Sequence, residues 1–501
     1  MKIFTAEQLR AWDEYTIREE PISSEQLMER AAQRCFAWLV AQYPLQDHFT
    51  VCCGKGNNGG DGLAIARLLA HDGKTVVVHV LEFGFPGTPD FQLNLSRLHQ
   101  YPQVDIRFVQ QLDHLPAFLN DTLLIDALYG SGLNRGLDGL SAAFVERINQ
   151  SGCTCISIDL PSGLLADRSS IAFSVVRATH TLCLQSYKLA MLLSENDQYV
   201  GTVHLLSIGL HPGFYHHCET PCQLQLLEDV KELRPERSRN MHKGNFGHAL
   251  LVCGQLGKMG AAVLAAKGAL RSGVGLLSCR VPSAGTTIMQ TAVPEAMCLI
   301  DKQSDRITET ADDLSLYSAI GVGPGLGTHA DSLALLEKLL LSYSHPLVLD
   351  ADALNCLSLS AALIEKIPPG SILTPHPKEF ARLFGESQND FERMQKAIEK
   401  AAQHQLYIVL KGHHSLIACP DGAHFFNGSG NPGMATGGMG DVLTGIITGL
   451  LAQKMPPKQA VRLGVYLHGL AGNLAAQALS EPALIPSDLI DYLGAAWLAL
   501  D

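Results

Sequence analysis

Short apolar runs bounded by polar or glycine-rich segments recur along the first half of the chain, at residues 49–53, 75–81, 123–128, 155–160, 181–184 and 203–206. Segments with helical spacing of apolar positions lie between them. Strands buried on two faces read as nearly continuous apolar runs, so this alternation predicts a mostly parallel sheet covered by helices on both sides. Two helix starts are legible near the N-terminus, where TAEQ at 5–8 and SSEQ at 23–26 fit capping boxes. Between about residues 211 and 245 the pattern breaks into Pro, His and charged residues, which marks a domain boundary. A second alternating series follows, with strands at 248–253, 346–349 and 406–410, a helix at 261–271, and helical character from Asp441 to the end. No short-period repeat is present, which argues against a solenoid.

Composition narrows the class without naming it. A chain of 501 residues accommodates two large domains, and 47% hydrophobic with 17% charged residues is ordinary for a globular protein. The net charge of −12 argues against nucleic acid or an anionic membrane as the main partner. No apolar run approaches the roughly 18 residues of a membrane span, and the first residues lack a signal-peptide core, so a cytoplasmic location is expected. The 13 cysteines are scattered through strand-like segments, as buried thiols are in a reducing compartment. His216, His217, Cys218 and Cys222 lack paired zinc spacing and are read as structural or linker residues.

The first half carries its chemistry at strand ends. GKGNNGGDG at 54–62 follows a strand and precedes a helix-like segment at 63–71, a geometry suited to phosphate. Gly54, Gly56 and Gly59 formally satisfy a dinucleotide fingerprint, and Glu82 falls near the ribose-binding position after the next strand. Asn57, Asn58 and Asp61 exceed what a dehydrogenase turn needs; their oxygens suit a polar ligand or a hard cation. Asp126 in DALYGSGLNRG (126–136) and Asp159 in IDLPSG (158–163) end two further strands, and a parallel sheet brings such loops to one edge.

On these motifs, residues 1–217 resemble the epimerase domain of the NAD(P)H-hydrate repair enzymes. The resemblance implies a Rossmann-like parallel-sheet sandwich that binds NADH or NADPH hydrated at C6 of the nicotinamide. It implies substrate contacts from Asn57, Asn58, Gly59, Gly60 and Asp61, and from Gly130, Ser131, Gly132, Leu133, Asn134, Arg135 and Gly136. Asp159 would be the catalytic residue on the substrate, and K+ would sit at Asn58, Asp126 and Ser162. Lys188 opens Lys-Leu-Ala-Met where the family has Lys-Pro-Gly, and it is left out of the site.

The second half carries phosphate chemistry. NPGMATGGMGD at 431–441 joins a glycine-rich loop to one carboxylate and then to an apolar run at 442–451, so free N–H groups at a helix start would face an anion. GVGPGLG (321–327), DADALN (350–355), TPHPKEF (374–380) and KGHHS (411–415) sit at strand ends where site loops are expected. Asp350 and Asp352 can equally satisfy loop amides, and His376 can equally cap the helix that follows. Neither half holds a P-loop signature.

Residues 226–501 resemble the ribokinase-like fold and, within it, the ADP- or ATP-dependent NAD(P)H-hydrate dehydratases. That implies ADP as co-substrate on Lys411, Gly412, His413, His414 and Ser415, and on Asn431, Gly433, Met434, Ala435, Thr436, Gly437, Gly438 and Gly440. Mg2+ is expected with the nucleotide. The hydrate would contact Gly325, His376 and the catalytic Asp441, whose carboxyl, with a reference pKa of about 3.9, is ionised at pH 7. A small-alcohol kinase would use the same loop, and a nucleotide-sensing first half would use the same fold. The expected partners are small molecules, with homo-oligomeric assembly.

Overall fold

The computed structural model describes residues 1–119 and 121–501 and divides into two compact units. One comprises Lys2–Thr220 with Asn389–Phe391; the other comprises Met1, Pro221–Gln388 and Glu392–Asp501.

The first unit is built on a seven-stranded, all-parallel sheet. In chain order its strands are β1 (His48–Cys53), β2 (Thr75–Leu81), β3 (Asp105–Val109), β4 (Leu123–Ala127), β5 (Cys155–Ile158), β6 (His180–Leu184) and β7 (Thr202–Leu206). Their order across the sheet is β3-β2-β1-β4-β5-β6-β7. Every residue of β4 and β5 is buried, as the unbroken apolar runs predict. β3 lies at an edge and is mostly exposed, with Asp105 and Arg107 interrupting any apolar run, so pairing with β2 alone reveals it. The chain reverses its winding between β1 and β4, which end together at Cys53 and Ala127; a crevice outside the carboxyl ends forms at such a switch point.

Both N-terminal capping boxes form. Gln8 N donates to Thr5 Oγ1 at 3.2 Å while Thr5 N donates to Gln8 Oε1 at 3.0 Å, and Ser23 with Gln26 repeats the exchange. The helix after β1 starts earlier than its apolar pattern suggests, spanning Asn57–His71. Asn57 to Gly62 therefore form its first turns rather than a loop. A Cβ at Gly62 would lie 2.6 Å from Ala127 Cβ, so glycine lets this helix rest directly on the sheet.

The second unit contains a ten-stranded sheet. Its strands are β8 (Cys222–Gln225), β9 (His248–Val252), β10 (Leu276–Val281), β11 (Met297–Ile300), β12 (Ala319–Val322), β13 (Leu347–Leu349), β14 (Ile372–Leu373), β15 (Tyr407–Leu410), β16 (Leu416–Ala418) and β17 (His424–Asn427). The order is β11-β10-β9-β12-β13-β14-β15-β16-β17-β8, parallel except where β16 pairs with β15 and β17. β8 lies inside the stretch whose composition reads as a break. Four residues that pair with β17 and with Met1, both distant in sequence, leave no local signature. The switch point falls between β9 and β12.

Helices Met259–Arg271 and Met439–Ala452 pack against each other at close range. A Cβ at Gly445 would meet Ala265 O at 1.9 Å, and one at Gly268 would meet Val442 O at 2.6 Å. Helices Pro457–Leu479 and Pro486–Leu498 complete the layer. Among the described residues no helix is long and apolar enough to cross a membrane.

The Gly445 contact sets the height of the helix that carries Asp441. Gly445→Ala should destabilise this unit by about 1–3 kcal/mol through overpacking. Urea unfolding followed by Trp497 fluorescence, with Trp12 and Trp38 replaced by Phe, would register it as an earlier midpoint.

Candidate active sites

At the first switch point, glycines serve backbone crossing before any ligand. A Cβ at Gly54 would lie 2.0 Å from Leu128 O, and one at Gly59 would lie 1.8 Å from Gly54 O. The helix that follows has Gly56 as its N-cap without a side-chain cap, leaving first-turn N–H groups directed outward. Asn57 is exposed and Gly60 is buried against Met28. Asn58 leans on the next loop, with Oδ1 3.1 Å from a Cβ position at Gly130; its Nδ2 is buried with no partner among the described residues.

Residues 130–136 form a tight turn, closed by Leu133 N donating to Gly130 O at 3.1 Å. Ser131 N donates to Asp159 Oδ2 at 3.2 Å, so this loop is tied to the predicted catalytic carboxylate. Gly132, Asn134 and Arg135 are exposed, while Gly136 packs against the Phe173 ring.

Asp126 is fully buried. It accepts from Ser157 Oγ at 2.7 Å, Ser162 N at 2.8 Å and Ser162 Oγ at 2.5 Å, and Ser162 Oγ also reaches Tyr129 O at 3.1 Å. Burial raises the Asp126 carboxyl, and the Ser162 and Ser157 donors only partly reverse that. One carboxylate with hydroxyl and carbonyl oxygens, next to the Asn58 contact at Gly130, is a donor set that fits a large, weakly hydrated cation.

Asp159 has φ +66°, a strained conformation for a residue other than glycine, of a kind that clusters at functional sites. Its Oδ1 accepts from Lys188 Nζ, which also donates to Leu184 O at 2.9 Å and contacts Cys183 Sγ at 3.5 Å. Lys188, 1% exposed, thus stands beside the residue from which sequence reasoning separated it. Burial pushes the Asp159 carboxyl up, but the Lys188 ammonium and the Ser131 donors outweigh it and hold the group below the usual range.

Two neighbouring acids behave oppositely. Asp13, on helix Ala6–Glu19, is raised to about 7 by burial and by the charge of Asp159. Asp61 is pushed well above the carboxylate range by burial, with Asp159 and Asp13 adding to it. Asp13 escaped sequence reasoning because it lies in an ordinary amphipathic helix, remote from every motif.

In the second unit, Asp441 lies in the first turn of Met439–Ala452, whose N-cap Gly438 has φ +97°. His468 Nε2 donates to Met439 O at 2.9 Å and steadies this turn. A Cβ at Gly440 would lie 3.3 Å from Lys411 Nζ, which puts that ammonium against the glycine loop. Lys411 donates to Asp350 Oδ1 at 2.9 Å and lies 4.0 Å from Glu379 Oε2. Asp350, buried and followed by Ala351 at φ +48°, also accepts from Thr444 Oγ1 at 2.7 Å. Burial raises the Asp441 carboxyl, Asp350 adds to this, and despite Lys411 it reaches about 6.

His376 caps helix Pro377–Phe384, its Nδ1 accepting from Lys378 N at 3.1 Å. Nδ1 is therefore unprotonated and Nε2 carries the hydrogen, 3.4 Å from Glu379 Oε1. Asp352 accepts from Gly327 N at 2.8 Å and serves the loop rather than the site. Gly325, φ +63°, lies in the loop after β12, against Lys258. Residues 411–415 turn between β15 and β16, with the His413 and His414 rings stacked at 4.4 Å and Ser415 Oγ on Gly412 O. Asn431 Oδ1 accepts from Gly433 N at 3.0 Å, and Met434 sulfur fills the space above Gly472. Ala435, Thr436 and Gly437 form the exposed tip of the loop.

Two α/β units, each with a glycine-edged crevice holding a lysine-paired carboxylate and a second, raised one, define a two-site nucleotide-handling enzyme. A family model described as NAD(P)H-hydrate dehydratase matches residues 249–494, and one described as YjeF-related protein N-terminus matches residues 24–190. The chain is 35% identical to the bifunctional NAD(P)H-hydrate repair enzyme of Coxiella burnetii, covering 95% of each chain. It is 34% identical to that of Moorella thermoacetica, covering 98% of this chain and 96% of the relative. A crystal structure of the ADP/ATP-dependent NAD(P)H-hydrate dehydratase from Bacillus subtilis, co-crystallised with ATP/Mg2+, superposes with a TM-score of 0.50 at 35% identity. It covers 56% of this chain and 99% of that one. The chain belongs to the bifunctional NAD(P)H-hydrate repair enzymes.

Removing one member of a buried ion pair is costly. Lys188→Met should destabilise the first unit by about 3–5 kcal/mol at neutral pH. Without its ammonium the Asp159 carboxyl rises above its unfolded value, so its penalty is present at high pH and relieved as pH falls through the raised pKa. Urea midpoints of the variant should therefore recover relative to the parent between pH 8 and pH 5; a constant deficit would mean Lys188 acts by packing alone.

Proposed function

We propose that residues 1–217 interconvert the R and S hydrates of NADH and NADPH and that residues 226–501 dehydrate the S hydrate with ADP. The observation that carries the second half is Asp441, raised to about 6 in a helix first turn beside Lys411 and Asp350. Hydroxide is a poor leaving group, so the C6 hydroxyl is expelled more readily as a phosphate ester. Asp441 takes the hydroxyl proton as the terminal phosphoryl of ADP is transferred. N–H groups of residues 437–440 and the Lys411 ammonium stabilise the charge that develops. AMP departs, and loss of phosphate driven by the ring nitrogen lone pair leaves an iminium at C6. Loss of a proton from C5 then forms the C5–C6 double bond and restores the dihydronicotinamide. His376 Nε2–H and Gly325 orient the hydrate, and ADP lies along 411–415 and 431–440 with Mg2+.

In the first half, changing the C6 configuration requires the C6–O bond to break and re-form, with a proton supplied to oxygen and recovered. Asp13, at about 7, can do both near neutral pH, while Asp159 stays ionised on Lys188. Residues 57–61 and 130–136 hold the dinucleotide, and Asn58, Asp126 and Ser162 would hold K+, which would supply positive charge beside the Asp126 carboxyl and tie the two loops together. The family reading supports a cytoplasmic enzyme.

Asp441→Asn should abolish ADP-dependent recovery of absorbance at 340 nm, by about 100-fold or more, and leave R/S interconversion intact; Asp159→Asn should do the reverse. If either variant lost both activities or neither, the division of labour would be wrong. The dehydration rate of the parent should fall as pH drops through about 6, because the base must be a carboxylate; a pH–rate profile flat from 7 to 5 would exclude Asp441 from that role.

A further inference from the structure

Directly after β2 stands a pair of aromatic rings outside the two sites described above. Phe83 and Phe85, at the strand's carboxyl end, are 45% and 52% exposed, and their rings lie nearly parallel at 9° with centroids 6.1 Å apart. The segment carrying them is held in place. Thr88 N donates to Lys55 O at 3.0 Å, Gly84 N donates to Glu82 Oε1 at 2.7 Å, and Gly84 and Gly87 take φ values of +79° and +84°.

Beneath the rings, Lys55 Nζ lies 5.2 Å from the Phe85 centroid and donates to both oxygens of Glu82, at 2.6 and 2.8 Å. The Lys55 side chain is 7% exposed, so Lys55 occupies the inner side and leaves aromatic surface to solvent. Lys55 also belongs to the glycine turn after β1, which joins this platform directly to the phosphate-facing helix start.

The sheet order supplies the distance. Asp159 follows β5, the 130–136 loop follows β4, the glycine turn follows β1, and the phenylalanines follow β2; these strands are consecutive neighbours. At about 4.8 Å per strand, three steps separate the two ends by roughly 14 Å. A nicotinamide at Asp159 with its pyrophosphate at the β4 and β1 loops therefore carries its second base to β2.

We infer that Phe83 and Phe85 form a stacking platform for the adenine ring of the dinucleotide hydrate, with Glu82 facing the adjoining ribose hydroxyls. This rests on the epimerase reading of the first unit. Aromatic side chains stack on bases through their π-faces, and a platform beside an ionised carboxylate suits an uncharged ribose.

The full-length protein without ADP, which cannot dehydrate, gives the test. Phe85→Ala should raise KM for epimerisation of NADH hydrate about tenfold with kcat changed by less than about twofold, the scale of one lost base stack. Phe85→Tyr, which keeps the ring, should restore KM. Hydrated reduced nicotinamide mononucleotide, which lacks adenosine, should show the same KM for parent and variants. An unchanged KM for NADH hydrate in Phe85→Ala, or equal losses on both substrates, would overturn the platform. A second readout needs no catalysis: protein carrying 4-fluorophenylalanine, with resonances assigned through Phe83→Leu and Phe85→Leu, is titrated with ADP-ribose to millimolar concentration. Movement of those two fluorine signals supports the subsite even in a protein that does not epimerise, which would sink the epimerase reading alone; static signals overturn the subsite itself.

Discussion

Both units are organised around a lysine–carboxylate pair at the carboxyl ends of parallel strands: Lys188 with Asp159, both buried, and the half-buried Lys411 with the buried Asp350. Charges taken out of water persist only when paired and further hydrogen-bonded, and both pairs meet that demand through backbone or hydroxyl donors. Lys188 holds the Asp159 carboxyl below its usual range, and the Lys411 ammonium lies against Asp350. Any other carboxyl nearby then feels that fixed charge as well as its own burial. Asp13 and Asp61 in one unit, and Asp441 in the other, are raised for this reason. Pushing the pKa values of neighbouring acids apart is how a single site holds both an anion and a group that exchanges protons near neutral pH.

Backbone geometry follows the same constraint. The two residues that place these anions adopt left-handed conformations without being glycine: Asp159 itself, and Ala351 immediately after Asp350. Such strain of about 1–3 kcal/mol persists only where surrounding contacts over-determine it. Here the contacts are the pair itself and the loop amides, so strain, burial and charge are parts of one arrangement at each strand end.

Glycine plays two separate roles in the motifs. Gly54 and Gly59 are needed because backbone meets backbone at 2 Å or less from a would-be Cβ, and Gly445 is needed for the same reason between helices. Gly437 and Gly412, by contrast, have open space around them. The first group makes the switch-point geometry possible, and the second leaves room for a ligand to approach the chain. Sequence shows a glycine-rich motif in either case; only the neighbour across the gap tells which role each glycine has.

Much of the architecture was legible along the chain: the parallel sheets, the capping boxes at Thr5 and Ser23, the helix carrying Asp441, and the strand ends that carry Asp126 and Asp159. These are local, since apolar runs, caps and strand-end loops depend on residues a few positions apart. Edge strands such as β3 and β8 were not, because short polar strands exist only through pairing with a distant neighbour. The ion pairs were hidden for the same reason, with Asp159 and Lys188 29 positions apart and Asp350 and Lys411 61 positions apart. What the sequence determined by itself was which chemical groups stand at which strand ends. The tertiary structure alone decided which of those acids is an anion and which holds a proton, because protonation depends on burial and on charges that only folding brings within reach.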